Sequence, residues 1–296
     1  MALSIIITSC GKDAEIRNTE DLVTQPIQQQ IINEKNILEE LLPTNYSKEE
    51  KELAFNYISQ KFNLNKNEIS SSDCCIFTGK DVIISYKDIL EELNTGVVEK
   101  QLKAFTQSIH GLITRTTTVT IAEIDGLQVT QDWRNALGAA IYEWNDLGGD
   151  LFFRRRIYNN YFINRWTRNN TWIIAVNFAN FPQHFDQVRQ RSIASASPPI
   201  AGRPGHVIFW NTGHNDYLVN NRIPQQVFAM MHEIGHSIGL RHTDIGNADP
   251  IAEDITGLSS ECSGDGFPNS LMRTDMGDSP WLRHTDCDIE VYLELY

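Results

Sequence analysis

The stretch His232-Glu233-Ile234-Gly235-His236-Ser237-Ile238-Gly239-Leu240-Arg241-His242 constrains this chain more than any other. Residues four apart share one face of a helix, so His232 and His236 can aim two imidazoles at a single point. A tetrahedral zinc ion needs that geometry from two of its ligands. Glu233 stands beside the first histidine, where its carboxylate can serve as general base toward a water at the metal. Gly239 can adopt a positive φ at low cost, which lets the helix stop and the chain double back. The turn would deliver His242 as a third ligand and leave a fourth position open, the mark of a catalytic site rather than a structural one. Structural zinc knots more often use cysteine, and none lies near this stretch. Pro224 suits the first turn of a helix, and Val227, Phe228, Met231, Ile234 and Ile238 follow at helical spacings.

The extended pattern H-E-x-x-H-x-x-G-x-x-H resembles that of the metzincin metallopeptidases. His232-Glu233-Ile234-Gly235-His236, with Leu240-Arg241-His242-Thr243-Asp244 behind it, is more narrowly similar to the bacterial dual-action HEIGH metallopeptidases. Metzincins place a methionine in a tight turn beneath the metal, and Met272 in Ser270-Leu271-Met272-Arg273 is the candidate, as a packing residue rather than a ligand. Some also carry a tyrosine two residues after that methionine; here the position is Thr274. The resemblance implies an α+β, zincin-like catalytic domain over residues 111–296, with a twisted mixed sheet, an active-site helix and a C-terminal helix. It implies one catalytic Zn2+ on His232, His236 and His242, and hydrolysis of peptide or protein substrates with Glu233 as base. It also implies a free sheet edge bordering the cleft, expected at Val207 to Asn211. Two rivals are a non-catalytic surface lipoprotein with a structural metal site and a zinc hydrolase of small amides.

Among the remaining residues, Asp244 is a candidate to brace a ligand histidine from behind. Five of the eight histidines, namely His110, His184, His206, His214 and His284, show no paired ligand spacing. Of these, His214 stands nearest the proposed helix. Asp244, Asp249, Asp254 and Asp265 form no spaced calcium loop.

The 296 residues, 41% of them hydrophobic, suffice for a packed core. A net charge of −13 makes nucleic acid or an anionic lipid surface a poor partner. Arg154-Arg155-Arg156 is too short to change that and reads as solvated arginines at a strand end. The start, Met1 to Cys10, resembles the end of a bacterial lipoprotein signal whose cysteine becomes lipidated, although no Lys or Arg precedes its apolar run. Residues 1–10 are therefore read as a lipoprotein-like signal and 11–35 as a polar tether. The membrane is reached only through a lipid anchor at Cys10, and the protein is expected as an extracytoplasmic monomer. Excluding Cys10, four cysteines remain; Cys262–Cys287 is the preferred disulfide, tying the methionine loop to the last helix, while Cys74 and Cys75 stay unassigned.

Residues 36–110 read as a small α+β leader or pro-segment. Ile37, Leu38, Leu41 and Leu42 form one helical patch. Ser47 with Glu50 opens a second helix carrying Leu53, Phe55, Tyr57, Ile58 and Phe62. Two strands flank a Thr78-Gly79-Lys80-Asp81 turn, and helix resumes from Ser85 to Leu93. From residue 112 onward strands are expected over 114–124, at 151–153, from Trp172 and from His206. A helix over 132–145 presents Trp133, Leu137, Ala140, Ile141 and Trp144 on one face, and Thr285 caps a last helix.

Overall fold

The computed structural model describes residues 34–61, 64–65, 67, 69–78, 81–95, 113, 118–124, 130–159, 169–186, 192–200, 202–214, 223–240, 242, 270–273 and 283–296. Cys10, His110, Asp244, Asp249, Asp254, Cys262, Asp265 and Thr274 lie outside the described residues. The chain divides into two units, Met1–Asn36 and Ile37–Tyr296. In the first, residues 34–36 are helical, two of them within the expected tether. Among the described residues no helix is long and apolar enough to cross a membrane.

In the second unit, residues 37–41 are helical and α1 spans Lys48–Lys61. The Ser47–Glu50 capping box is formed: Ser47 N donates to Glu50 Oε2 (2.8 Å) and Glu50 N to Ser47 Oγ (3.1 Å). Ala54 and Ile58 are the buried face of α1, whereas Leu53 points to solvent, 54% exposed. Three short strands follow, β1 (Ile69–Ser71), β2 (Cys75–Thr78) and β3 (Val82–Ser85), then α2 (Tyr86–Thr95). Cys74 and Cys75 are bonded to each other, a pairing that spacing alone did not suggest.

The rest alternates strands and helices: β4 (Thr118–Ile124), α3 (Gln131–Asp146), β5 (Phe152–Tyr158), β6 (Asn170–Val176), α4 (Pro182–Phe185), β7 (Ala194–Ala196), β8 (Val207–Asn211), α5 (Ile223–Ile238) and α6 (Asp286–Leu295). Together they form one mixed eight-stranded sheet in the order β1-β2-β3-β7-β8-β6-β4-β5. Strands β8, β6, β4 and β5 run parallel to their neighbours, and β7 runs antiparallel to β8. Every residue of β6 and β8 is buried, as expected of strands covered on both faces.

The pleat sends alternate residues into two apolar layers. Ile173, Ala175, Ile208 and Trp210 face the layer holding α3 and α5; Trp172, Ile174, Val207 and Phe209 face the opposite one, with Leu38, Leu41, Phe178 and Phe185. The N-terminal hairpin obeys the same pleat. Ile76, Val82 and Ile84 enter the α3–α5 layer while Phe77 and Ile83 enter the other. Strands β1, β2 and β3 are thus part of the same sheet as the helix-bearing half.

Two expectations are corrected. Val207–Asn211 is not a free edge: β8 pairs with β6 on one side and β7 on the other. The outer edge of β7 is taken in turn by β3, with Val82 opposite Ala196 in a parallel bridge. Periodicity shows that β8 is a strand, but only long-range pairing decides its neighbours. Arg154–Arg156 also lie within β5 rather than at its end. Arg155 forms an ion pair with the buried Glu123 of β4, its Nη2 3.0 Å from Oε2.

Candidate metal centre

Helix α5 carries its histidines on a fully packed element. Val227, Phe228, Met231, Ile234 and Ile238 are buried, and Trp144 of α3 donates its indole N–H to the Met231 carbonyl (3.2 Å). The helix ends as the glycine predicts. Gly239 has φ 108°, its N–H reaches the His236 carbonyl (3.0 Å), and Leu240 N reaches the Gly235 carbonyl (2.9 Å). This pair of bonds is a Schellman cap, and it reverses the chain so that His242 faces back toward the helix.

The three imidazoles converge through Nε2. His236 Nε2 is 3.0 Å from His232 Nε2, and His242 Nε2 lies 3.2 Å from each of the other two. A fourth donor comes from the opposite end of the sequence. Asp81, immediately before β3, places Oδ1 3.0 Å from His242 Nε2 and 3.5 Å from His236 Nε2, and Oδ2 3.4 Å from His232 Nε2. All four residues are buried, and one ligand atom from each lies within 4.8 Å of the others.

The Nε2 atoms of His232 and His236 are not hydrogen-bonded to one another. His232 Nδ1 lies 2.9 Å from the Leu271 carbonyl and His236 Nδ1 2.8 Å from the Leu240 carbonyl. A carbonyl only accepts, so each Nδ1 carries the proton and each neutral ring turns a lone pair inward at Nε2. Burial, and then the neighbouring His232, push the His236 pKa down to about 4, which keeps that ring neutral. Lone pairs facing one another at 3.0 Å beside a carboxylate require a cation between them. For zinc–nitrogen bonds of about 2.0–2.1 Å a tetrahedron has edges of about 3.3–3.4 Å, close to the spacings here. The donor set therefore fits one zinc ion.

Beneath the helix lies the Ser270–Arg273 turn. Met272 is buried, and a methyl group added at Gly235 would meet its Sδ at 2.5 Å and Trp144 Cζ2 at 3.5 Å. Gly235 is thus the residue that lets the methionine close against the metal helix. Asp288 of α6 fixes the turn: Oδ1 accepts from Ser270 Oγ (2.6 Å) and Oδ2 from Leu271 N (2.9 Å), while the same carboxylate completes the Thr285 cap of α6. Asp288 thereby sets the Leu271 carbonyl that orients His232. Cys287, beside it, is disulfide-bonded.

Glu233 is 3% exposed, and its Oε2 has no hydrogen-bond partner among the described residues. Burial, reinforced by the charge of Asp81, raises its pKa well above the ordinary carboxylate value. Burial would also raise the Asp81 carboxyl, but the surrounding imidazoles, His242 above all, hold it well below the usual range. The other described histidines stay apart. His184 sits in the opposite layer with Nε2 3.1 Å from the Leu42 carbonyl, and His206 Nδ1 is 3.3 Å from Asp88 Oδ2. His284 packs edge-on to Trp144 (4.2 Å), and His214 N bonds the Asn211 carbonyl in the turn after β8. Asp81 and Asp288 are the residues that sequence reasoning missed. The first looked like an ordinary turn acid; the second carries a local signal, as the partner of Thr285 in the α6 cap.

Two buried imidazoles on a helix that carries a glutamate beside its first histidine, a third just past the helix cap and a carboxylate from the start of β3 define a metal-dependent hydrolase built on a mixed sheet. The class narrows with residues 76–250, more than half of the chain, which match the dual-action HEIGH metallo-peptidase family. The chain belongs to that family and is a zinc metallopeptidase; the matched span includes Asp81 as well as the three histidines. Solved structures similar to this chain include high choriolytic enzyme 1, a hatching enzyme zinc-protease from Oryzias latipes (Medaka fish), at 12% identity and TM-score 0.33, covering 62% of this chain and 92% of that one. A structure of myroilysin is similar at 11% identity and TM-score 0.35, covering 68% and 85%. Both likenesses are distant. No curated protein matches the chain significantly.

Proposed function

We propose that the chain is an endopeptidase in which His232, His236 and His242 hold one zinc ion and Glu233 is the general base. The carrying observation is the buried carboxylate of Glu233 beside His232, with an oxygen that no group of the described residues satisfies. An unpaired buried carboxylate is costly to keep, and a site that only braced the fold would have no use for it. When bound, zinc supplies Lewis acidity, making water a better acid and a carbonyl a better electrophile. Glu233 takes a proton from the attacking water as its oxygen bonds to the peptide carbon. It returns that proton to the leaving amine as the C–N bond breaks. The Leu271 and Leu240 carbonyls hold the two helix imidazoles in the tautomer that this chemistry needs.

A second reading, a metal that only braces the fold, is favoured by one observation: four protein donors surround the site, as in structural zinc centres. Casein hydrolysis by zinc-loaded protein, with and without chelator, separates the two readings. Glu233→Gln should keep about one zinc per chain and lose ~10²-fold or more in rate, the scale of general-base catalysis. Hydrolysis at the parental rate by that variant would remove Glu233 from the mechanism.

A further inference from the structure

We infer that Tyr296 is a positioning residue for the metal centre: its hydroxyl completes the end of α5 and so fixes the turn that brings His236 and His242 to the metal. This inference rests on the metal-site reading above and deepens it.

The last four carbonyls of an α-helix have no partner within it. In α5 they belong to Gly235, His236, Ser237 and Ile238. The first two are served locally, by Leu240 N (2.9 Å) and Gly239 N (3.0 Å). The other two are served from far away in the sequence. Ser237 O accepts from Gly205 N (2.7 Å), and Ile238 O accepts from the Tyr296 hydroxyl. Ile238 is buried. Without that hydroxyl its carbonyl would be left unpaired among the described residues, and the turn would have to move to bring it to another donor.

The ligands hang from that turn. Leu240, two residues past Ile238, presents the carbonyl that holds His236 Nδ1 (2.8 Å), and His242 follows two residues later. Any shift at Ile238 passes through Gly239 to both. Helix α6 therefore reaches both turns that orient the helix imidazoles. Asp288, in its first turn, sets the Leu271 carbonyl at His232; Tyr296, directly after its last turn, sets the end of α5 at His236. Eight residues of helix rise about 12 Å, so one straight element spans the two braces.

The hydroxyl is separable from the rest of the residue. The Tyr296 backbone is held without it: the carbonyl accepts from Asp150 N (2.5 Å), and the N–H reaches Tyr292 O (2.9 Å). The ring packs against that of Tyr292 at 5.7 Å. The hydroxyl oxygen accepts from Ile113 N (3.3 Å), which leaves its hydrogen for Ile238 O. Burial raises the Tyr296 pKa, so that hydrogen stays in place at neutral pH. Tyr292, one turn earlier, supplies the contrast. Its hydroxyl donates to the Leu151 carbonyl (3.3 Å), just before β5 and outside the turns at the metal.

The test compares Tyr296→Phe with Tyr292→Phe in the full-length chain, with zinc alone as the probe. Zinc affinity is read by competition with a coloured chelator, and thermal midpoints are read metal-free and at one fixed zinc concentration. Each variant loses one hydrogen bond, so both metal-free midpoints should fall. Only Tyr296→Phe should bind zinc more weakly, by ~10-fold, the lower end of what outer partners of ligand histidines contribute. Its zinc-induced rise in midpoint should shrink to match. Parental zinc affinity in folded Tyr296→Phe would overturn the inference, as would an equal loss in Tyr292→Phe. Should metal-free Tyr296→Phe not fold, the rate of zinc release from the loaded protein replaces the affinity, and release no faster than from Tyr292→Phe would overturn it. A parental chain that takes up no zinc would instead strike the metal-site reading beneath it.

Discussion

The two halves of the metal site are held in different ways. On the α5 side, His232 and His236 are oriented by main-chain carbonyls, one in the Asp288-clamped turn and one in the helix's own cap. Neither carbonyl can move without unmaking a turn. On the β3 side the backbone is pinned to β7, and the carboxylate rests on the imidazoles alone among the described residues: Oδ2 lies 3.2 Å from His242 Nε2, and Oδ1 has no hydrogen-bond partner there. One half of the site is thus set by turns and caps near the helix, the other by a strand pairing from far away in the sequence.

The largest test of that contrast removes a member of the rigid half. His242→Ala takes away one of three imidazoles, and zinc measured after dialysis should fall far below one per chain, with hydrolysis lost. Zinc retained at full occupancy would mean that Asp81 belongs to the rigid half. Asp288→Asn attacks the clamp instead. The amide cannot serve Ser270, Leu271 and the α6 cap together, and hydrogen bonds to a charged group are worth about 1.5–3 kcal/mol. Its thermal midpoint and zinc affinity should both drop, whereas a fall in the midpoint alone would detach the clamp from His232. Gly235→Ala is the finest probe, since one methyl must displace Met272 Sδ. Overpacking of this kind costs about 1–3 kcal/mol. A lowered thermal midpoint with Glu233 still competent is expected, and an unchanged midpoint would show that the floor under the helix is soft.

The sequence disclosed the rigid half because its parts are local. Residues four apart on a helix, a glycine that can cap it and a third histidine just beyond are fixed by helix geometry alone. The same holds for the Ser47–Glu50 box, the Thr285 cap and the long α3 face. The Asp81 half was hidden because it is made by pairing across distance. Nothing near Asp81 says that its strand lies against Ala196, 115 residues later, so the fourth donor and the covered β7 edge both went unseen. The misplaced free edge at Val207–Asn211 has the same origin, since alternation identifies a strand without naming its neighbours. The Cys74–Cys75 bond stayed hidden for a different reason: two adjacent thiols carry no spacing signal to read.

The distance between His232 and Asp288 also sets an order of events during synthesis. A nascent chain that has emitted α5 but not α6 carries the motif histidines on a helix whose apolar face, Val227, Phe228, Met231, Ile234 and Ile238, still lacks part of its cover. The Leu271 carbonyl that fixes the His232 tautomer is set only when Asp288 arrives, 56 residues after that histidine. Until then the ribosome-bound chain has ligands without a site. A folding cell thus makes the chain of this peptidase well before it makes a blade.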